Sequence, residues 1–132
     1  MKKPSYYVAV FGKPGPPDND TADSGRYHLG IRGNDTPGER GDILLIYCTA
    51  NDADNFMSVP GIGIVLTKTK ETIFYRYLPF TSPISKDEIE NKFTDEDREK
   101  FANIRFNTYW LFEISNESFR NSTRSLIIDW PQ

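Results

Sequence analysis

Six consecutive apolar residues, Ile43-Leu44-Leu45-Ile46-Tyr47-Cys48, follow directly on Gly41-Asp42. Side chains along a strand alternate between two faces, so an unbroken apolar run of this length reads as a strand buried on both sides or nearly so. The rest of the chain must supply the cover. Other strand signals are spread along it. Tyr6 to Phe11 forms a first run, Tyr27 to Ile31 a short second one, Val59 to Leu66 another, and Thr72 to Leu78 one that Pro79 is expected to stop. Arg105 to Ser115 alternates most cleanly, with Phe106, Thr108, Trp110, Phe112 and Ile114 on one face. Leu126 to Trp130 suits a final edge strand.

The connections differ between the two halves. All nine glycines fall at or before Gly63. The Gly/Pro-rich stretch at 12–17 opens a polar loop to about residue 26, long enough to be functional or mobile. Two short helices are expected between the late strands. Ser85 and Glu88 have capping-box spacing, and Thr94 caps a second helix to about Asn103. Six or seven strands near ten-residue spacing, with two short helices, predict a mainly β, α+β fold closed as a small barrel or sandwich. At 132 residues the chain fits a single domain, 1–132, with a C-terminal extension at about 116–132.

Composition narrows the chemistry. Leu, Ile, Val and Phe make up 32 of the 132 residues, enough for a packed core. No apolar run approaches the ~20 residues that span a bilayer, and the N-terminus lacks a signal peptide, so the expectation is a cytoplasmic protein with no membrane partner. One cysteine and one histidine leave no disulfide framework and no His-rich or multi-Cys metal centre, and no cofactor is expected. The net charge is −3. Residues 86–100 hold seven acids and four bases, which accounts for the whole excess and reads as a solvated helical face. There is no basic stripe for strong non-specific nucleic-acid binding.

Nothing in the spacing predicts an enzyme. Nucleophile elbows, Walker loops and dinucleotide fingerprints are absent. Gly61-Ile62-Gly63 lies inside a strand and reads as close backbone packing. A Cys48–His28 pair has the right residue types for nucleophilic catalysis, but a thiol in an apolar strand is usually inert, and His28 reads as structural or pocket-lining. The aromatic residues Tyr6, Tyr7, Tyr47, Tyr109 and Trp110 carry the remaining signal. A flat aromatic slot suits a flipped base, whereas the alternative for each is ordinary core.

The order of motifs resembles one family. An aromatic first strand, "HLGI" at 28–31, GDILLIYCT at Gly41 to Thr49, "GIGIVL" at Gly61 to Leu66, and "IFYRYLPF" from Ile73 follow one another as in the EVE domains of the PUA-like superfamily, relatives of the YTH, ASCH and PUA domains. The resemblance spans roughly residues 5–115. It implies a PUA-like pseudo-barrel with flanking helices, and a non-enzymatic module that binds DNA or RNA by holding a modified or flipped base in an aromatic pocket. By position it implies a pocket formed by Tyr7, Val8, Gly30, Tyr47, Cys48, Thr49 and Trp110, with His28 beside it. Arg76 and Arg105 are assigned to the nucleic-acid backbone from their charge. The competing readings are a protein-interaction or structural domain on the same fold, with a protein partner or a second copy, and, behind it, a small hydrolase or nuclease.

Overall fold

The computed structural model describes residues 4–11, 22–28, 39–48, 58–69, 72–102 and 111–123. Strands β1 (Tyr6–Phe11), β2 (Arg26–His28), β3 (Ile43–Cys48), β4 (Ser58–Lys68), β5 (Thr72–Ser85) and β6 (Leu111–Ile114) form one sheet in the order β2-β5-β4-β3-β1-β6. Three helices, α1 (Lys86–Lys92), α2 (Asp95–Ala102) and α3 (Asn116–Thr123), pack on one face. The fold is mainly β, with short helices, as the strand spacing predicts.

The apolar run Ile43–Cys48 lies inside the sheet, parallel to β1 and antiparallel to β4. Its alternation divides two cores. Leu45 and Tyr47 join Val8, Val10, Ile62, Leu78, the helix residues Ile89, Phe101 and Phe119, and Phe93, which caps the end of α1. Leu44, Ile46 and Cys48 join Tyr7, Ala9, Phe11, Tyr27, Ile73 and Tyr75 on the other face. The run is continuous because neither face of β3 meets water.

The second core lies on the inside of a curl. Phe11 of β1 and Tyr27 of β2 sit four strands apart in sheet order, which in a flat sheet is roughly 19 Å at the usual strand spacing. Their ring centroids are 4.9 Å apart, and Phe11 also meets Tyr75 at 6.4 Å. Only a sheet rolled toward this face brings the rings together. The result is a half-barrel whose concave side is aromatic and whose convex side carries the helices.

Glycines allow the inner packing. A Cβ on Gly63 would lie 2.5 Å from the ring of Tyr75, whose hydroxyl is fixed by donating to the Ala22 carbonyl at 2.6 Å. A Cβ on Gly61 would lie 2.5 Å from the Leu78 carbonyl and 2.9 Å from the Tyr77 ring. The GIG segment is thus a seat for neighbouring chain. Gly63→Ala is expected to lower stability by about 1–2 kcal/mol in urea unfolding, because the anchored ring cannot withdraw freely. An unchanged midpoint would mean that Tyr75 is not held there.

Pro79 does not end its strand. β5 continues to Ser85 through Pro79 and Pro83. The reason is an irregularity in the ladder. Gly61 pairs with Pro79 and Val59 with Ile84, so β5 carries extra residues opposite Pro60. On its other side β5 pairs with β2 only up to Phe74. Among the described residues no strand pairs with β5 beside Pro79 or Pro83 on that side, and prolines at a bulge forfeit no ladder bond.

Both predicted helices form with their predicted caps. The Ser85 hydroxyl accepts from the Glu88 amide at 3.3 Å, and the Thr94 hydroxyl from the Asp97 amide at 3.4 Å. α3 is an additional helix within the segment read as a C-terminal extension. Ser115 caps it, accepting from the Ser118 amide at 3.1 Å. Residues 126–130, read as an edge strand, lie outside the described residues, as does the 105–110 part of the long alternating strand.

Candidate functional site

The Gly-Asp that precedes β3 acts as a clamp. Gly41 has φ +92, a conformation suited to glycine, and its amide donates to the Val65 carbonyl at 2.8 Å. The Asp42 side chain is buried. One carboxylate oxygen accepts from the Ser5 amide at 3.0 Å and the other from the Glu39 amide at 2.8 Å. Asp42 therefore ties the turn to the start of β1, and its carboxylate is committed to the fold.

The second buried carboxylate, Asp97, joins α2 to the start of α3. Its Oδ2 accepts from the Ser118 hydroxyl at 2.6 Å, and from the Ser115 amide and hydroxyl, each at 2.9 Å. Burial opposes ionisation of this carboxyl. The hydrogen bonds from Ser118, Ser115 and Thr94 outweigh it, and the carboxyl is held below its ordinary value of 3.8. Both buried carboxylates are thus occupied by structural donors, and neither is placed for acid–base work.

The residues expected to line one pocket are divided between the two cores. Tyr7 and Cys48 face the concave side, whereas Val8 and Tyr47 face the helices. All four are at most 5 % exposed. The physical reason is alternation: Tyr7 and Val8 are strand neighbours, as are Tyr47 and Cys48, so each pair must split. Tyr47 packs on Phe101 with ring centroids 4.8 Å apart. Burial, with lesser contributions from the charges of Glu90 and Cys48, pushes its phenol up to about 12, so it stays protonated at neutral pH. His28 belongs to β2, paired with Thr72; its side chain lies outside the described set. Gly30, Thr49, Trp110 and Arg105 also lie outside the described residues. Arg76 is exposed on the convex face, since its strand neighbour Tyr75 points inward.

The concave face has aromatics that were not singled out from sequence: Phe11, Tyr27, Tyr75 and Tyr77. The signal for two of them was the alternation of Ile73, Tyr75 and Tyr77 within 72–78. Most of this surface is packed. Tyr77 and Leu111 remain half-buried against it. They border a row that crosses the sheet, with Leu111 paired to Ala9, Ala9 to Ile46, and Ile46 to Gly61, over which the Tyr77 ring leans. Ala9 and Gly61 are the small residues of this row, and the space over Gly61 is taken by the Tyr77 ring and the Leu78 carbonyl. The chain runs from Cys48 into Thr49 and from Trp110 into Leu111. In register, Leu111 pairs two residues before Phe11, the β1 partner of Cys48, so Cys48 and Leu111 lie toward the same end of β1.

No protein-family model matches this chain, and no curated protein does. Among solved structures it is similar to protein Atu2648 from Agrobacterium tumefaciens, a structural-genomics crystal structure, with a TM-score of 0.60 and 14 % identity over 91 % of each chain. At that identity the likeness establishes a shared fold along nearly the whole length and nothing about activity.

Proposed function

We propose that this chain is a non-enzymatic nucleic-acid-binding module of the EVE-like, PUA-like kind, which holds a modified or flipped base at the mouth of its half-barrel. The observation that carries the reading is the aromatic concave face, left half-open at Tyr77 and Leu111. Because Tyr7, Val8, Tyr47 and Cys48 are packed core, the base seat lies farther out, at Tyr77 and Leu111, with Trp110, the chain neighbour of Leu111, and Thr49, the chain neighbour of Cys48. A base stacked there gains ~1–3 kcal/mol, which makes one base a weak anchor. Further contacts along the strand, or a second subunit, are needed for tight binding. The occupied states of Asp42 and Asp97 favour binding over hydrolysis.

Trp110→Ala is the test. The expected result is loss of base-dependent binding with an unchanged thermal melt followed by circular dichroism. A large fall in melting temperature would instead make Trp110 a core residue and remove it from the seat.

One observation favours the protein-interaction reading. Asp87, Glu88, Asp95, Glu96 and Glu99 are exposed on α1 and α2 and form an acidic face suited to a basic partner. None of the described helices is long and apolar enough to cross a membrane. A cytoplasmic location belongs to the proposal.

A further inference from the structure

Among the described residues two large hydrophobic side chains are exposed, Leu66 at 48 % and Phe74 at 38 %. They are close in the ladder. The β4–β5 ladder shifts register between Val65 and Thr67, and Thr67 pairs with Phe74, so Leu66 stands at the bulge, next in chain to the partner of Phe74. Ile73 and Tyr75 point into the concave core, which places Phe74 on the convex face. The helices cover that face at Leu78, Phe80 and Ile84 but leave Phe74 open.

Two arginines stand next to the ring in the ladder. Arg26 pairs directly across from Phe74. Cross-strand partners lie about 5 Å apart at Cβ. Arg76 is two residues farther along β5 on the same face, about 6.6 Å away at the usual rise. Both arginines are exposed. No carboxylate among the described residues pairs with Arg76. This cationic row stands out in a chain of net charge −3.

We infer that Arg26, Phe74 and Arg76, with Leu66 at their side, form a stacking site for single-stranded nucleic acid on the convex face. A base has a π-face for the Phe74 ring, and the backbone on either side of it has phosphates for the two guanidinium groups. A protein partner that covered Phe74 would also have to neutralise Arg76, whereas a single strand meets the ring and that charge together. The inference rests on the nucleic-acid reading but concerns a different surface from the base seat. It supplies the additional contact that a one-base seat requires.

The experiment is fluorescence anisotropy with labelled 12-nucleotide single strands of DNA and RNA, and the matching duplexes, across a salt series. Phe74→Ala and Phe74→Leu are both expected to weaken single-strand binding by roughly 5- to 100-fold, with melts like that of the parent protein. Arg76→Gln is expected to reduce the slope of log K against log salt by about one. Wild-type affinity in Phe74→Ala overturns the inference. So does full binding by Phe74→Leu, since an aliphatic contact would then suffice. A preference for duplex, or a change confined to self-association in sedimentation, overturns it in favour of another partner. Trp110→Ala, run in parallel, separates the two surfaces. Loss in that variant alone leaves the base seat standing and rejects this site, whereas loss in the Phe74 variants alone does the reverse.

Discussion

Asp97→Ala is expected to lower the free energy of unfolding by about 3–4 kcal/mol. The substitution leaves the Ser115 amide, the Ser115 hydroxyl and the Ser118 hydroxyl without their shared acceptor in a buried junction. Hydrogen bonds to an ionised group contribute about 1.5–3 kcal/mol each, and stranded donors cost about 1–3. The hydroxyls can turn toward other acceptors, so the total falls well short of the sum. Thr94 is drawn in as well, because its amide donates to the Ser118 oxygen at 2.9 Å. The damage therefore spans the α1–α2 turn, α2 and the cap of α3.

The same residue carries a pH signature. Its carboxyl titrates below 3.8 in the folded protein. A depressed folded value means that the unfolded chain takes up the proton first as pH falls. The Asp97 contribution is therefore complete above the unfolded value and is lost as pH falls through the lowered folded one. Urea unfolding of the parent protein and of Asp97→Asn, compared at neutral pH and near pH 2, isolates this contribution. The stability gap between the two is expected to shrink with acid. A gap that stays constant would mean that the carboxylate charge is not what the serines hold.

Asp42→Ala is expected to cost about 2–3 kcal/mol, because it strands the amides of Ser5 and Glu39. Asp42→Asn is the more telling variant. Each carboxylate oxygen accepts from a different amide, and an Asn side chain has one acceptor and one donor. One amide would then face an N–H group. Asn should cost nearly as much as Ala in the urea midpoint. A silent Asn variant would show that the turn is held by the backbone bonds of Gly41 and Val65 alone.

The strands and the first two helices were legible in the sequence because their signals are local. Apolar alternation, the Ser85 and Thr94 caps, and the Gly-Asp before a continuous apolar run each act within a few residues. Pro79 misled because its tolerance depends on a distant partner, the irregular ladder opposite Pro60. α3 was hidden in a segment rich in Ser and Asn, whose cap is completed by Asp97 eighteen residues earlier than Ser115. The pocket was the least legible feature. Aromatic residues in strands declare that they are buried or stacked, but which of two faces they take follows from alternation, and which aromatics meet follows from the curl. Phe11, Tyr27 and Tyr75 come together only because the sheet rolls. Phe74 and Arg76 are separated from that cluster by a single step along β5.

The base-binding claim is tested most directly by titrating the protein, at low salt, with short single- and double-stranded DNA and RNA carrying plain or methylated bases. The readouts are tryptophan fluorescence and oligonucleotide anisotropy. The account predicts saturable binding that favours one modified base and changes tryptophan emission. Equal, weak affinity for every oligonucleotide with constant emission would contradict it, and would place the acidic face of α1 and α2 first as the working surface of this fold.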